Sequence, residues 1–265
     1  MKQQNCNNET IQSRFLLVKM NLKYLLIFAI LLLSIQSFAQ KPADSILEKM
    51  PTDLERDFAL SSMPANVSRG ATIYLLDPKK GYYISHQGTN GFICFVIRTE
   101  LDRVEFRTDI VTAISFDAEG AKTIFPVYAD VAAMRASGKF TAHQIKDSLT
   151  ERYKNGYYKV PARGGLSYMV APLMRNYEGL SPNVSTFSVP HYMFYAPYIT
   201  EADIGGNSQS GGPMIFGNGK GPLGYLIIPV GKTEKAKILD ENKVLLMRLA
   251  MYRSNLKMEG IGSHH

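Results

Sequence analysis

VPHYMFYAPYITEADIGGNSQSGGP, residues Val189 to Pro213, joins the strongest strand pattern in the chain to its sharpest loop. At period two, His191, Met193 and Tyr195 fall on one face and Tyr192, Phe194, Ala196 and Tyr198 on the other, so both faces carry bulk and the spacing predicts a buried strand. The loop that follows, from Asp203 to Pro213, holds Gly205, Gly206, Gly211 and Gly212 among Asn207, Ser208, Gln209 and Ser210. Such a run takes positive φ easily and presents many backbone N–H groups, which makes it the first place to look for a site.

Upstream, Ala71–Leu76 and Tyr82–Gln87 read as a hairpin around Asp77-Pro78-Lys79-Lys80-Gly81. Gly88-Thr89-Asn90-Gly91 reads as a second turn, into the continuous apolar strand Phe92–Ile97, so that the three strands form a meander at the centre of an antiparallel sheet. Val111–Phe116 is a further strand, with Asp117-Ala118-Glu119-Gly120 as its turn and extended chain over 122–125. Two helices then interrupt the strands. Pro126, Val127, Val131, Met134 and Gly138 mark the first, and a Thr141/Gln144 capping box with Ile145, Leu149 and Tyr153 marks the second. Thr52 and Glu55 predict another capping box, opening a helix to about Met63. Leu166–Ala171 is a strand, 172–190 a loop, and Leu223–Val230 a strand pairing with the quoted one near an edge, because Pro229 cannot donate. One C-terminal helix is expected from Asp240 to Met258. The expected fold is a single α+β domain over residues 40–265, its sheet mainly antiparallel, with two central helices and a C-terminal helix on one face.

Residues 1–39 stand apart. Met20-Asn21-Leu22-Lys23, the apolar run Tyr24–Ile35 and Ser37-Phe38-Ala39 have the form of a secretory signal peptide, with Met20 as the expected start. The apolar run is shorter than the roughly 20 residues that span a bilayer, so no membrane span is expected after cleavage, and the product is expected in the periplasm or outside the cell. Removing Lys2, Arg14, Lys19, Lys23 and Glu9 lowers the net charge from +7 to +4. The remaining basic residues are scattered, which argues against nucleic acid. Cys6 leaves with this segment, so Cys94, inside an apolar strand, has no partner for an intramolecular disulfide and reads as a core thiol.

Ser210-Gly211-Gly212-Pro213 resembles the nucleophile box of trypsin-like serine peptidases, in which Gly-Asp-Ser-Gly-Gly-Pro sets a serine beside an oxyanion hole. Ser208 and Gln209 replace the Gly and Asp of that box. His86 is the nearest upstream histidine, and Asp109, Asp117 or Asp130 would complete the order His, Asp, Ser. His191 and Met193 share a strand face suited to a soft metal, but no paired-ligand spacing accompanies them, so no metal or cofactor is expected. Asp44, Asp53, Asp57, Asp77 and Asp102 read as caps, turns or solvated surface.

Gly88-Thr89-Asn90-Gly91-Phe92 with Cys94, Phe116-Asp117-Ala118-Glu119-Gly120, Met193-Phe194-Tyr195-Ala196-Pro197-Tyr198 and Ala202-Asp203-Ile204-Gly205-Gly206 resemble the motifs of a group of uncharacterised, signal-peptide-bearing bacterial proteins. That resemblance implies export and brings no activity. The expected function is a non-enzymatic exported domain that binds a small molecule or a protein, with Asp203, Asn90, Tyr195 and Tyr198 as ligand-binding candidates. The alternative is a serine hydrolase using Ser210 and His86.

Overall fold

The computed structural model describes residues 47–179, 181–206, 214–217 and 221–258. The segment expected to be a signal peptide, Met20, Ser210 and the Gly211-Gly212-Pro213 end of the quoted loop lie outside them. Among the described residues, ten strands join one sheet that is antiparallel except at one pair, with seven α-helices around it, an α+β arrangement. No described helix is long and apolar enough to cross a membrane.

Helix α1 (Thr52–Leu60) lacks the expected capping box: Pro51 holds the cap position, and Glu55 turns inward, 1% exposed, to accept the Leu76 N–H at 2.8 Å. A buried strand donor left unpaired costs about 1–3 kcal/mol, more than an exposed helix end served by water. After the short helix α2 (Ala65–Ser68), β1 (Thr72–Asp77) and β2 (Gly81–His86) form the expected hairpin. The next strand, β3 (Ile93–Ile97), departs from the meander and runs parallel to β1, with Thr72 opposite Ile93. The Gly88–Gly91 turn explains this. Thr89 and Asn90 both donate backbone N–H to Gly70 O, at 2.7 and 3.1 Å, and a Cβ on Gly88 would lie 2.3 Å from that oxygen, so the chain crosses the start of β1 where only glycine fits. β2, mostly exposed, stays at the edge, and β3, buried on both faces, lies inside the sheet.

β4 (Val111–Phe116) pairs with β3 and is equally buried. Beyond it the expected turn and extended chain are instead a helix, α3 (Ala118–Thr123), because the Asp117 carboxylate accepts the Gly120 N–H at 2.9 Å as an N-cap. Helices α4 (Phe125–Ser137) and α5 (Ala142–Lys154) follow, the first closed by Gly138 at φ 68° and the second opened by both halves of the Thr141/Gln144 box.

Strand β5 (Leu166–Met169) ends short of Pro172, which has no N–H for a ladder. The expected loop over 172–190 contains a hairpin, β6 (Met174–Tyr177) and β7 (Val184–Phe187), whose strands of four residues are too short to show a period. β4 therefore has two neighbours along one edge, β6 beside Val111 and Thr112, and β5 beside Ser115 and Phe116. The sheet forks there. One branch is β6 and β7; the other runs β5, β8 (His191–Tyr195), β10 (Tyr225–Pro229), β9 (Met214–Phe216). β8 buries His191, Met193 and Tyr195 but leaves Phe194 40% exposed, so one of its faces is covered rather than two.

Helices cover both faces of the sheet, not one. One core gathers Phe95, Ile114 and Phe116 with Val127 and Val131 of α4 and Ile145 and Leu149 of α5. The other gathers Cys94, Val96 and Ala113 with Leu54 and Phe58 of α1 and Leu245 and Leu249 of the last helix. Strands apolar on both faces, as β3 and β4 are, require cover on both sides. The expected C-terminal helix is two, α6 (Lys232–Glu241) and α7 (Lys243–Tyr252), broken at Asn242, whose side-chain amide donates to Ile238 O at 2.8 Å. Cys94 is fully buried and free, and burial pushes its thiol up to about 12.

Candidate functional site

The residues singled out in the sequence serve mainly to brace the frame. Asn90 is used at both ends of its amide: Nδ2 donates to Val67 O at 2.7 Å and Oδ1 accepts the Phe92 N–H at 3.0 Å. Asp203 lies in a short 3-10 turn, and its Oδ2 accepts from Thr200 N–H at 2.8 Å and Thr200 Oγ1 at 2.7 Å. Both loops lie at the same end of the sheet, where β3 begins and β8 ends, but β4 and β5 run between those strands, a separation of about 14 Å at the usual strand spacing.

Tyr198 is 56% exposed and sits at φ 62°, a backbone conformation that costs a bulky residue strain, held by its N–H donating to Gly221 O at 2.9 Å. His86 is exposed at the end of an edge strand with no hydrogen bond or ion pair among the described residues. The aspartates proposed to assist it are engaged elsewhere: Asp109 with Arg107 and Arg175, Asp117 with the cap of α3, and Asp130 with Arg152 and Tyr158.

Tyr195 is a clamp. Its hydroxyl donates to Asp117 Oδ1 at 2.9 Å and lies 3.1 Å from Leu166 O, and a Cβ on Gly120 or Gly165 would fall 2.1 or 2.5 Å from Tyr195 atoms. Bare glycines on both sides let the ring lock α3 to the start of β5. Tyr195→Phe is expected to lower stability by about 1.5–3 kcal/mol, as for a hydrogen bond to a charged group. Urea unfolding measures this; an unchanged midpoint would free Tyr195 for a ligand role instead.

The concave feature built by the fold is the inside of the fork. A cavity of about 390 Å³ opens between the two branches, within the range of small-molecule pockets. Its walls are Met169 of β5, Met174 of β6, Phe187 of β7, Met193 of β8, Ile227 of β10 and Met214 of β9, with Ile97 and Ile114 at the base. Methionines bend to fit irregular shapes, which suits a wall assembled from many short strands. A wider groove of about 840 Å³ lies beside β7, but it is open and two of its three cations are committed, Arg175 to Asp109 at 2.7 Å and Lys235 to Ser188 O at 2.7 Å.

Polar groups enter the cavity at few points. The segment after β3 supplies Glu100 and Asp102, and Arg135 of α4 holds that segment by donating to Arg98 O at 3.1 Å, Thr99 Oγ1 at 2.5 Å and Arg107 O at 2.6 Å. Glu100 accepts from Leu101 N–H at 3.2 Å and from Asn176 Nδ2 at 3.1 Å. Burial holds its carboxyl above the ordinary range, and the neighbouring Asp102 adds to this. Burial raises Asp102 as well, against the pull of Lys146 and Arg103. Asp102 lies in a turn, half-buried, and lines the cavity. Lys146 lines an adjoining recess of about 200 Å³ that shares Leu101, Asp102 and Leu223 with it.

His191 is 5% exposed, and its Nδ1 lies 2.6 Å from Val189 O. A carbonyl oxygen only accepts, so Nδ1 carries the proton and Nε2 is a bare acceptor; burial keeps the ring neutral by lowering its pKa. Nε2 has no partner among the described residues. Tyr225, 7% exposed, has a buried hydroxyl with no partner, in the field of Glu100 and Asp102.

No protein-family profile, curated protein or solved structure matches this chain. The geometry alone therefore carries the functional argument. None of Asn90, Asp203, Tyr195, Tyr198 and His86 lines the cavity, while His191 and Met193, weighed in the sequence as a metal pair, both do. No group of three or more His, Cys, Asp or Glu side chains suited to a metal occurs among the described residues. The signal for Glu100 and Asp102 was their place, two carboxylates within five residues of the end of the fully buried strand β3, where a solvated turn reading is equally natural.

Proposed function

We propose that this chain is an exported binding domain, not a hydrolase, and that its ligand is a small molecule held inside the fork of the sheet. The observation that carries this is a cavity of about 390 Å³ with methionine-rich apolar walls into which Glu100, His191 and Tyr225 bring unspent polar groups. Apolar walls supply affinity by burial, and a few placed polar groups orient what is bound. Export is supported by the form of residues 1–39.

N-phenyl-1-naphthylamine, an uncharged dye that fluoresces in apolar surroundings, is expected to bind saturably to the full chain. Met193→Trp, which enlarges a side chain of the cavity wall, is expected to abolish the signal, and Phe194→Trp, on the opposite face of the same strand, to preserve it. Ile227→Phe serves where Met193→Trp fails to fold. Absent saturable binding, or binding indifferent to both cavity substitutions, the proposal is wrong. A fluorophosphonate is expected to leave Ser210 unlabelled; labelling that Ser210→Ala removes would favour the hydrolase.

A further inference from the structure

The groups that line the cavity are unequal in what they lack. Glu100 accepts hydrogen bonds from Leu101 N–H, Asn176 Nδ2 and the Asp102 N–H, yet no Lys, Arg or His forms an ion pair with it among the described residues. Asp102, two residues on and of the same sign, acts on it unfavourably. Asp102 already feels Lys146 and Arg103, and Arg103 is further occupied by Ser181 O and by the Tyr177 ring, 4.7 Å from its guanidinium carbon. A carboxylate removed from bulk water without a cation is an expensive arrangement, and a like charge beside it adds to the cost.

Two of the remaining groups can only accept, the ionised Glu100 carboxylate and Nε2 of the neutral His191 ring. A carboxylate has about four lone-pair positions, and the Leu101 N–H, the Asp102 N–H and Asn176 Nδ2 leave room on Glu100 for a further donor. His191 Nε2 is an acceptor with no donor, and the unpaired Tyr225 hydroxyl can accept as well as donate. Glu100 and His191 therefore offer acceptor positions that lack a donor. An ammonium brings three N–H donors, no lone pair and the missing positive charge, whereas a carboxylate head would add acceptors and repulsion.

We infer that the cavity takes a primary amine with an apolar tail, its ammonium held by Glu100 and its tail laid along Met169, Met174, Met193 and Ile227. This rests on the cavity being the ligand site, as proposed above. The His191 imidazole and the Tyr225 hydroxyl complete the ammonium's set of acceptors, and Asp102 adds favourable charge from the side that Lys146 partly neutralises.

Displacement of bound N-phenyl-1-naphthylamine by octylamine, 1-octanol and octanoate at neutral pH tests it, because the three share a tail and differ only in the head. Octylamine is expected to displace the dye at a concentration about tenfold below that of octanoate, with octanol between them. In Glu100→Gln, which keeps the shape of the side chain, the octylamine advantage is expected to fall to within about twofold of octanol while octanol itself is unchanged. Octanoate displacing as well as octylamine, or an advantage that survives Glu100→Gln, overturns the amine assignment and leaves the cavity as a ligand site. A protein that fails to bind the dye at all overturns the cavity reading itself, and the amine assignment with it. The three-compound comparison on the unaltered chain decides the matter even where the variant does not fold.

Discussion

Phe95→Ala is expected to remove about 3–5 kcal/mol of folding stability, the range for deleting a buried aromatic ring. Phe95 is fully buried at the centre of β3, and four rings close on it: Tyr82 and Phe125 at 5.1 Å, Tyr128 at 5.3 Å and Phe116 at 5.9 Å between centroids. Those rings belong to β2, the start and middle of α4, and β4, so no single movement closes the hole. Since a domain of this kind has only about 5–15 kcal/mol in total, the loss is a large part of the whole. Urea unfolding should show a much lower midpoint with an unchanged slope. A loss below about 1 kcal/mol would mean that this aromatic cluster is not packed as described. Tyr128 also lines the cavity, so ligand affinity is expected to fall with stability.

The second expected result is a stability that declines as pH rises, traceable to Glu55. Burial lifts its carboxyl from 4.5 to about 7, while the Leu76 N–H, Arg98 and Lys49 act in the other direction and do not outweigh it. The folded chain thus holds this proton more tightly than the unfolded chain does. Its contribution is complete below about pH 4.5 and is lost as the pH climbs through about 7. The difference corresponds to about 3 kcal/mol. Glu55→Gln keeps an oxygen for the Leu76 N–H and removes the titration. The stability of the native chain minus that of the variant should therefore fall by about 3 kcal/mol between those two pH values. Glu100, Asp102 and His191 titrate in both proteins and cancel in the difference. Two parallel pH profiles would show that Glu55 is not buried as described.

Features governed by a few adjacent residues were legible in the sequence. The Thr141/Gln144 box, Pro126 at a helix start and Gly138 at its end act through backbone groups within one turn, and each stands where the sequence placed it. The β1–β2 hairpin and the pairing of β8 with β10 likewise follow from apolar runs and turn residues. Glu55 shows the limit. Its spacing from Thr52 is that of a capping box, but a strand donor 21 positions away in the chain claimed the carboxylate.

The α+β class, the apolar strands β3 and β4 and the local helix signals of α4 and α5 were determined by the sequence alone, because period, propensity and caps depend on near neighbours. Tertiary structure decided the parallel β1–β3 pair, the fork after Met169 and the helices on both faces. Each depends on which surface a strand finds to bury against. The cavity belongs to that second class: its wall runs from Ile97 to Pro229 across eight strands, and Glu100 meets its partner Asn176 only because β6 folds back beside β4. Alternation along one strand shows which side chains point inward, but it carries no information about whether another element fills the space they face.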